Sequence, residues 1–432
     1  MDRRTLLLLA GSLGLSACSV GPAPGPYPAG GIGPAGPYAP GTGPSGPESL
    51  NGLPPGTPPG YAPTGPVAIL LPLSGRLAGI GQAMGEAAQL ALAAPGSPPL
   101  LSEDTGGTPE GAAAAARTAL AGGARLILGP LTAPETAAAA PIALGAGVPM
   151  LAFTNDSTVA RPGVWTLGIT PGQQVRQLVR AGQRQGRTRF AALLPDSPLG
   201  QLMGQALAAA TSAAALPSPT IRFHSGSMGS INTTARSLSD YDGRWGPIEA
   251  QIRAARATGT LAGRRQAASL RKSVPPPPPF DALLLADTGE TLHELAAVLS
   301  YYVVGRPSVQ IMGPSLWADP RSGAGHLPGA WYAAPETSSR AAFVASYAAR
   351  YGGAPPGVAD LGYDAGGLAR FLAAGGYRPA DLTAPRGFAG TDGWLVLRPD
   401  GHVRRGLAVY AVGGAGGPQL VQPPSAGPGA GV

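Results

Sequence analysis

Two doubly wound α/β lobes are predicted by three observations. Short, continuous apolar runs recur from Pro66 onward, as expected of parallel strands covered on both faces. Turn residues mark the exit of each run, and a helical stretch follows it. Four such strand and helix alternations fall within about 90 residues, a spacing that argues for crossover units rather than hairpins.

The elements follow in order. Val67–Leu71 is a strand left through Pro72, Leu73, Ser74 and Gly75, and 79–94 is an amphipathic helix. Leu100–Asp104 is a weaker strand ending in acidic turn residues, followed by an alanine-rich helix over 109–122. Ala124–Leu128 is a third strand, leaving through Gly129, Pro130, Leu131 and Thr132 to a helix at 135–144. Val148–Phe153 is a fourth, with Thr154, Asn155, Asp156 and Ser157 at its exit. A second series has strands at 164–168, 189–194, 221–223, 282–285 and 309–312, with helices at 173–185, 199–214 and 291–301. Helices near 339–351 and 358–373 come next, and alternation on both sides of Pro399, Asp400 and Gly401 predicts a closing hairpin. The stretch 225–279 breaks the rhythm with basic, low-complexity sequence and five consecutive prolines, Pro275–Pro279. It reads as an insertion, with room for a helix bearing Arg253 and Arg256.

Outside these elements the chain changes character. Glycine and proline number 67 and 50 of 432 residues, and much of the excess sits at 18–65, where Glu48 is the sole charged side chain. Such a segment cannot bury enough apolar area to offset its ordering entropy, so it is expected to be a disordered tether. Random-coil scaling gives it a reach of about 35–40 Å. Residues 413–432 are expected to be a flexible tail. The net charge of +7 arises without a dense Lys/Arg block, which argues against a nucleic-acid partner.

The single cysteine, Cys18, follows Arg3, Arg4, an apolar run and Leu15-Ser16-Ala17. This junction resembles a lipoprotein signal peptide spanning 1–17. The resemblance implies lipidation of Cys18 by thioether-linked diacylglycerol and an amide-linked chain such as palmitate, hence a membrane partner through that lipid. Ser19 in place of an aspartate implies the periplasmic side of the outer membrane, with inner-membrane anchoring as the alternative. Arg3 to Leu7 also resembles a twin-arginine export signal, although two arginines that orient the leader would look the same. With no other cysteine, internal disulfides are excluded and stability must come from apolar burial.

The segments Val67–Gly75, Leu128–Leu131, Val148–Phe153, Leu194–Asp196, Asp287, Leu361–Ala365 and Gly387–Gly393 resemble the type I periplasmic binding proteins of the leucine/isoleucine/valine-binding class. Within that class the chain is most similar to the lipoprotein subgroup of penicillin-binding protein activators. The resemblance runs over 66–412 apart from 225–279. It implies two Rossmann-like lobes joined by three crossovers, near 169–172, 331–336 and 382–389. Lobe 1 is then 66–170 plus 337–381, and lobe 2 is 171–336 plus 382–412.

The implied ligand cleft is lined by Leu73, Ser74, Thr132, Ala133, Thr154, Asn155, Asp156, Asp196 and Asp287. In amino-acid binders of the class, hydroxyl-bearing loops, an aromatic and an acid hold the ligand. Thr132 and Thr154 supply hydroxyls and Asp287 matches the acid, whereas the aromatic position falls on Leu199, a departure from α-amino-acid binding. Thr132 and Thr154 read equally well as helix caps, and Asp196 and Asp287 as turn residues.

Catalysis is not expected. The four histidines are scattered, and no metal-ligand spacing, phosphate-binding loop or GxSxG elbow is present, so no catalytic residue, metal or cofactor is assigned. Two functions remain. One is regulation of a peptidoglycan synthase (a penicillin-binding protein) by protein contact. The other is delivery of a small polar or amino-acid-like solute to an ABC transporter permease.

Overall fold

The computed structural model describes residues 46–50, 65–336, 340–413 and 417–428. The expected signal peptide, Cys18 and most of the tether lie outside the described residues. In chain order, β1 (Glu48–Ser49) precedes β2 (Val67–Leu71), α1 (Ala78–Ala91), β3 (Leu100–Asp104), α2 (Pro109–Ala121), β4 (Ile127–Leu128), α3 (Ala133–Gly145), β5 (Met150–Ala152) and β6 (Val164–Thr166). Then follow α4 (Pro171–Arg184), β7 (Phe190–Pro195), α5 (Pro198–Ala213), β8 (Thr220–His224), α6 (Met228–Leu238), α7 (Tyr241–Ala257), α8 (Leu261–Leu270), β9 (Ala282–Leu284), α9 (Gly289–Tyr301), β10 (Gln310–Gly313) and β11 (Trp331–Ala334). The chain ends with α10 (Arg340–Tyr351), α11 (Ala359–Leu372), α12 (Pro379–Leu382), β12 (Phe388–Gly390), β13 (Gly393–Leu397), β14 (Val403–Arg405), β15 (Ala408–Ala411) and β16 (Gln419–Gln422).

Two of the three sheets form the expected lobes, and a third, four-stranded in the order β1-β12-β13-β14, joins the first lobe's core through Phe388, Leu395, Leu397 and Val403. The first sheet is all parallel in the order β3-β2-β4-β5-β6, and the second runs β16-β15-β11-β10-β9-β7-β8. In the second, β15 pairs antiparallel with both β11 and β16, and the other pairs are parallel. Every residue of β2 is buried because helices cover both faces, which is why its sequence is one unbroken apolar run. β3, at the sheet edge, is half exposed and correspondingly mixed in sequence. Burying each large aliphatic side chain contributes about 1.5–3 kcal/mol, and the first lobe concentrates Ile69, Leu71, Leu128, Leu151 and Trp165 with Leu368 and Leu372 of α11. Helices α1 and α11 approach closely because Gly362 lies against the Met84 carbonyl, only 2.3 Å from where a Cβ would stand.

Several segments differ from expectation. Stretch 225–279 is largely helical. Helix α6 belongs to the second lobe's core through Ile231, Ala235 and Leu238, while α7 and α8 pair around Ile252, Ala255 and Ala267. Buried Arg244 fastens this addition. Its guanidinium donates to the carbonyls of Pro276 (2.6 Å), Ser239 (3.3 Å), Tyr302 (3.1 Å) and Val303 (3.3 Å).

Residues 331–334, assigned to a crossover, form a strand between β10 and β15, so the chain leaves the second lobe only after Ala334. Within the tether, β1 pairs in parallel with β12, and within the tail, β16 pairs with β15. Segment 382–412, assigned whole to the second lobe, is divided. Phe388, Leu395, Leu397 and Val403 join the first lobe's core, and only β15 enters the second sheet, so the third crossover, expected near 382–389, falls between β14 and β15. No helix among the described residues is long and apolar enough to cross a membrane.

Candidate functional site

The strand exits that the sequence nominates lie at the C-terminal ends of the two sheets, where open α/β folds bind ligands. Their polar groups are engaged within the chain. Asp104, at the end of β3, accepts from the backbone N–H groups of Leu73 (2.8 Å), Ser74 (3.3 Å) and Gly106 (2.8 Å). A hydrogen bond from the Ser74 side chain, followed by these amides, holds its carboxyl below the usual carboxylate range.

Thr132 caps α3. Its Oγ1 accepts from the Glu135 N–H at 3.4 Å and donates to Glu135 Oε2 at 2.6 Å, while Glu135 Oε2 also accepts from the Thr132 N–H at 3.0 Å. This reciprocal box satisfies two orphan donors of the helix start. Glu135 is fully buried, and its other oxygen accepts from the Thr105 hydroxyl. Ala133 is the first residue of α3.

Thr154 is buried and its Oγ1 accepts from the Asp156 N–H at 3.1 Å. Asp156 in turn accepts from the Thr158 N–H at 2.9 Å and caps a short 3₁₀ turn, while Asn155 is exposed. In the second lobe, exposed Asp196 accepts from Gln201 Nε2 at 3.1 Å.

Asp287 is buried against His224, with Oδ2 3.3 Å from Nε2, and its backbone carbonyl accepts from Trp317 Nε1 at 3.0 Å. The Gly226 N–H points at His224 Nδ1 from 3.1 Å, so Nδ1 is the acceptor and the proton resides on Nε2, facing Asp287. Among the described residues, no hydrogen bond or ion pair joins Asp196 or Asp287 to the nominated residues of the first lobe.

A second polar constellation, absent from the sequence expectations, sits where the third crossover meets the first. Asp364 of α11 is fully buried and accepts from the Thr391 N–H at 2.6 Å, with the Asp392 N–H 3.5 Å from its other oxygen. Two motifs quoted separately from the sequence, around Asp364 and around Thr391, therefore meet. Arg405 approaches Asp364 at 3.8 Å and donates from Nε and Nη2 to the Leu167 carbonyl at 3.1 and 2.9 Å, tying β14 to the end of the first lobe's sheet. Asp360 pairs with Arg340 at 2.5 Å.

Burial, then the Asp392 charge, raises Asp364 to about 6 against the pull of Arg405. Burial likewise raises Asp392 to about 7, again opposed by Arg405 and reinforced by Asp360. Burial also raises Asp360, while Arg340 and a hydrogen bond from Asp392 hold it down. Asp364 and Asp392 are thus both held toward the protonated form. The arrangement is a polar joint in which each carboxyl has a partner from the chain, while Asp360 Oδ1 and Arg405 Nη1 are buried without a hydrogen-bond partner.

The hairpin β13–β14 is bolted beside it. Trp165 Nε1 donates to the Arg398 carbonyl at 2.7 Å, the Thr166 N–H to Gly401 at 3.3 Å, and Gln173 Nε2 to Val403. Gly401 must be glycine, with φ +85° and the Arg161 backbone 2.3 Å from a would-be Cβ. Two larger cavities hold none of the nominated residues in their linings, although the second reaches Ser157 at the exit of β5. One, of about 460 Å3, lies within the second lobe among Leu299, Val303, Ile311 and Leu327. The other, of about 560 Å3, lies between α4 and the hairpin.

Comparison with known proteins fits this geometry. Residues 65–237 match the model of a periplasmic binding protein family. No curated protein sequence matches the chain. A putative branched-chain amino acid ABC transporter protein from Rhodospirillum rubrum superposes with a TM-score of 0.62 at 19% identity, over 84% of this chain and 100% of that one. Full-length LpoA from Haemophilus influenzae superposes with a TM-score of 0.59 at 17% identity, over 84% of this chain but 60% of LpoA. The LpoA C-domain, described as a regulator of PBP1A, is covered over 99% of its length with a TM-score of 0.55 at 16% identity. At such identities the likeness speaks to the fold. Two lobes of mostly parallel sheet, three crossovers and the family match over 65–237 make the folded part of this chain a type I periplasmic binding protein fold.

Proposed function

We propose that this chain is a lipid-anchored periplasmic lipoprotein that regulates a penicillin-binding protein by protein contact and carries out no catalysis itself. The observation that carries the reading is the occupation of the strand exits. Thr132, Thr154, Asp156 and Asp287 spend their polar atoms on Glu135, on the Asp156 amide, on the Thr158 amide and on His224. Groups so engaged have less capacity left to hold a ligand's charges. Coverage of nearly the whole LpoA C-domain, and the Cys18 junction, support the same assignment. The expected location is the periplasmic side of the outer membrane, with anchoring through the lipid on Cys18. The test is capture of membrane-solubilised penicillin-binding proteins on the immobilised chain, followed by glycan-polymerisation rates with and without it. Enrichment of one synthase and a changed rate are expected; retention of none refutes the reading.

The second reading, delivery of a small polar solute to an ABC permease, is favoured by the full-length superposition on the R. rubrum protein. Native mass spectrometry separates the two. A stoichiometric adduct lost in Thr132→Ala or Thr154→Ala would establish a solute receptor.

A further inference from the structure

The cavity between α4 and the β13–β14 hairpin collects positive charge from two distant parts of the chain. Arg176 and Arg180 stand one turn apart on α4, on the same face, and Arg398, His402 and Arg404 come from the hairpin. Asp400 is the acid among the lining residues, and it is engaged by Arg398 at 3.3 Å. Arg404 spends one nitrogen on the Pro428 carbonyl at 3.3 Å, while Arg176 and Arg180 have no acidic partner among the described residues. The lining also offers Thr170, Gln177 and Ser157.

Holding like charges together in one concavity is unfavourable unless something of opposite sign enters. Arg176 and Arg180 are both exposed, so solvent reaches them, and the Arg176 guanidinium is pushed below its ordinary range by the chain packed around it and then by Arg180, Arg404 and Arg398. A volume of about 560 Å3 lies within the usual span of small-ligand sites. Guanidinium forks arriving from two elements match an acceptor with several oxygens at tetrahedral angles better than a single planar carboxylate.

We propose that this cavity is a binding site for a phosphate-bearing anion, with Arg176 and Arg180 as its principal donors and Arg398 and Arg404 closing the opposite wall. The site borders the β5 exit at Ser157 but uses none of the residues nominated there, and it stands whichever of the two functions above is correct.

The ligand's phosphate could be that of a soluble ester or of a membrane headgroup, and two arms distinguish these sources. The full chain carrying Cys18→Ser, so that no lipid contributes, is titrated with inorganic pyrophosphate by calorimetry at pH 7. It is also floated with vesicles of phosphatidylcholine containing phosphatidylglycerol. The double variant Arg176→Gln/Arg180→Gln is compared in each arm, and the retained helix signal of its circular dichroism checks that it folds.

One-to-one pyrophosphate binding that weakens at least tenfold in the variant, and weakens with added salt, supports the site and a soluble source. Flotation with the anionic vesicles alone, lost in the variant, supports the site and a headgroup source. In either arm Arg176→Lys/Arg180→Lys should fall between the two, because it keeps charge and loses the fork. Absence of binding in both arms, or equal binding by the double variant, overturns the proposal.

Discussion

Replacing Arg405 by methionine probes the joint between the lobes. Arg405 is the buried cation facing Asp364, and its two bonds to the Leu167 carbonyl fasten the returning hairpin to the first crossover. Asp364 and Asp392 have pKa values raised to about 6 and about 7 in the folded chain, against about 3.9 for an unperturbed aspartate. The folded state therefore binds more protons than the unfolded chain between about pH 4 and 7. Stability falls as pH rises through that window and levels off above it; for Asp364 alone the shift corresponds to about 3 kcal/mol. At pH 8 both carboxyls are pressed toward ionisation and Arg405 is their principal compensation, so Arg405→Met should cost about 3–5 kcal/mol. At pH 5 the carboxyls hold their protons, and the cost should shrink to the lost bonds at Leu167, about 1–3 kcal/mol. Urea unfolding followed by tryptophan fluorescence at the two pH values measures this, with the slope compared between variants. A cost that is equal at both pH values, or greater at pH 5, would refute the assignment of the proton to these carboxyls.

Substitutions at three further positions test other parts of the fold. His224→Ala should cost about 2–4 kcal/mol because Asp287 is left buried without its donor, and His224→Gln should recover part of the loss by keeping an N–H within reach; denaturant midpoints decide. Arg244→Lys should cost about 2–4 kcal/mol, since one ammonium cannot serve the four carbonyls that the guanidinium reaches. Faster proteolysis confined to 241–279 is the expected signature. Gly401→Ala should strain the hairpin turn by about 1–3 kcal/mol and loosen Trp165, whose indole donates to the Arg398 carbonyl, seen as a red-shifted fluorescence spectrum.

What was legible in the sequence depended on how far apart the deciding contacts lie. Strand β2 is buried by its own two neighbouring helices, so its composition announced it. Strand β11 is four residues long, and its place is fixed by β10 before it and by β15 far downstream, so local sequence does not distinguish it from a connection. Helices α6 to α8 carry few apolar anchors among Gly, Ser and Arg, and Arg244 secures them through carbonyls that no pattern advertises.

The candidate site shows a subtler limit. A hydroxyl at a strand exit is the right group to cap the following helix and equally the right group to meet a ligand, so residue type alone could not separate the two for Thr132 or Thr154. The structure gives the capping partners, Glu135 and the Asp156 amide. Capping does not by itself abolish binding, because an oxygen has more than one lone pair. It does raise the cost of binding at Thr132, where the hydroxyl proton is already committed to a fully buried carboxylate: a ligand needing that proton must leave Glu135 with one donor fewer. Any solute held through the Thr132 hydroxyl must therefore offer it a donor. An α-carboxylate, which can only accept, is the group this loop is least suited to hold through its hydroxyl.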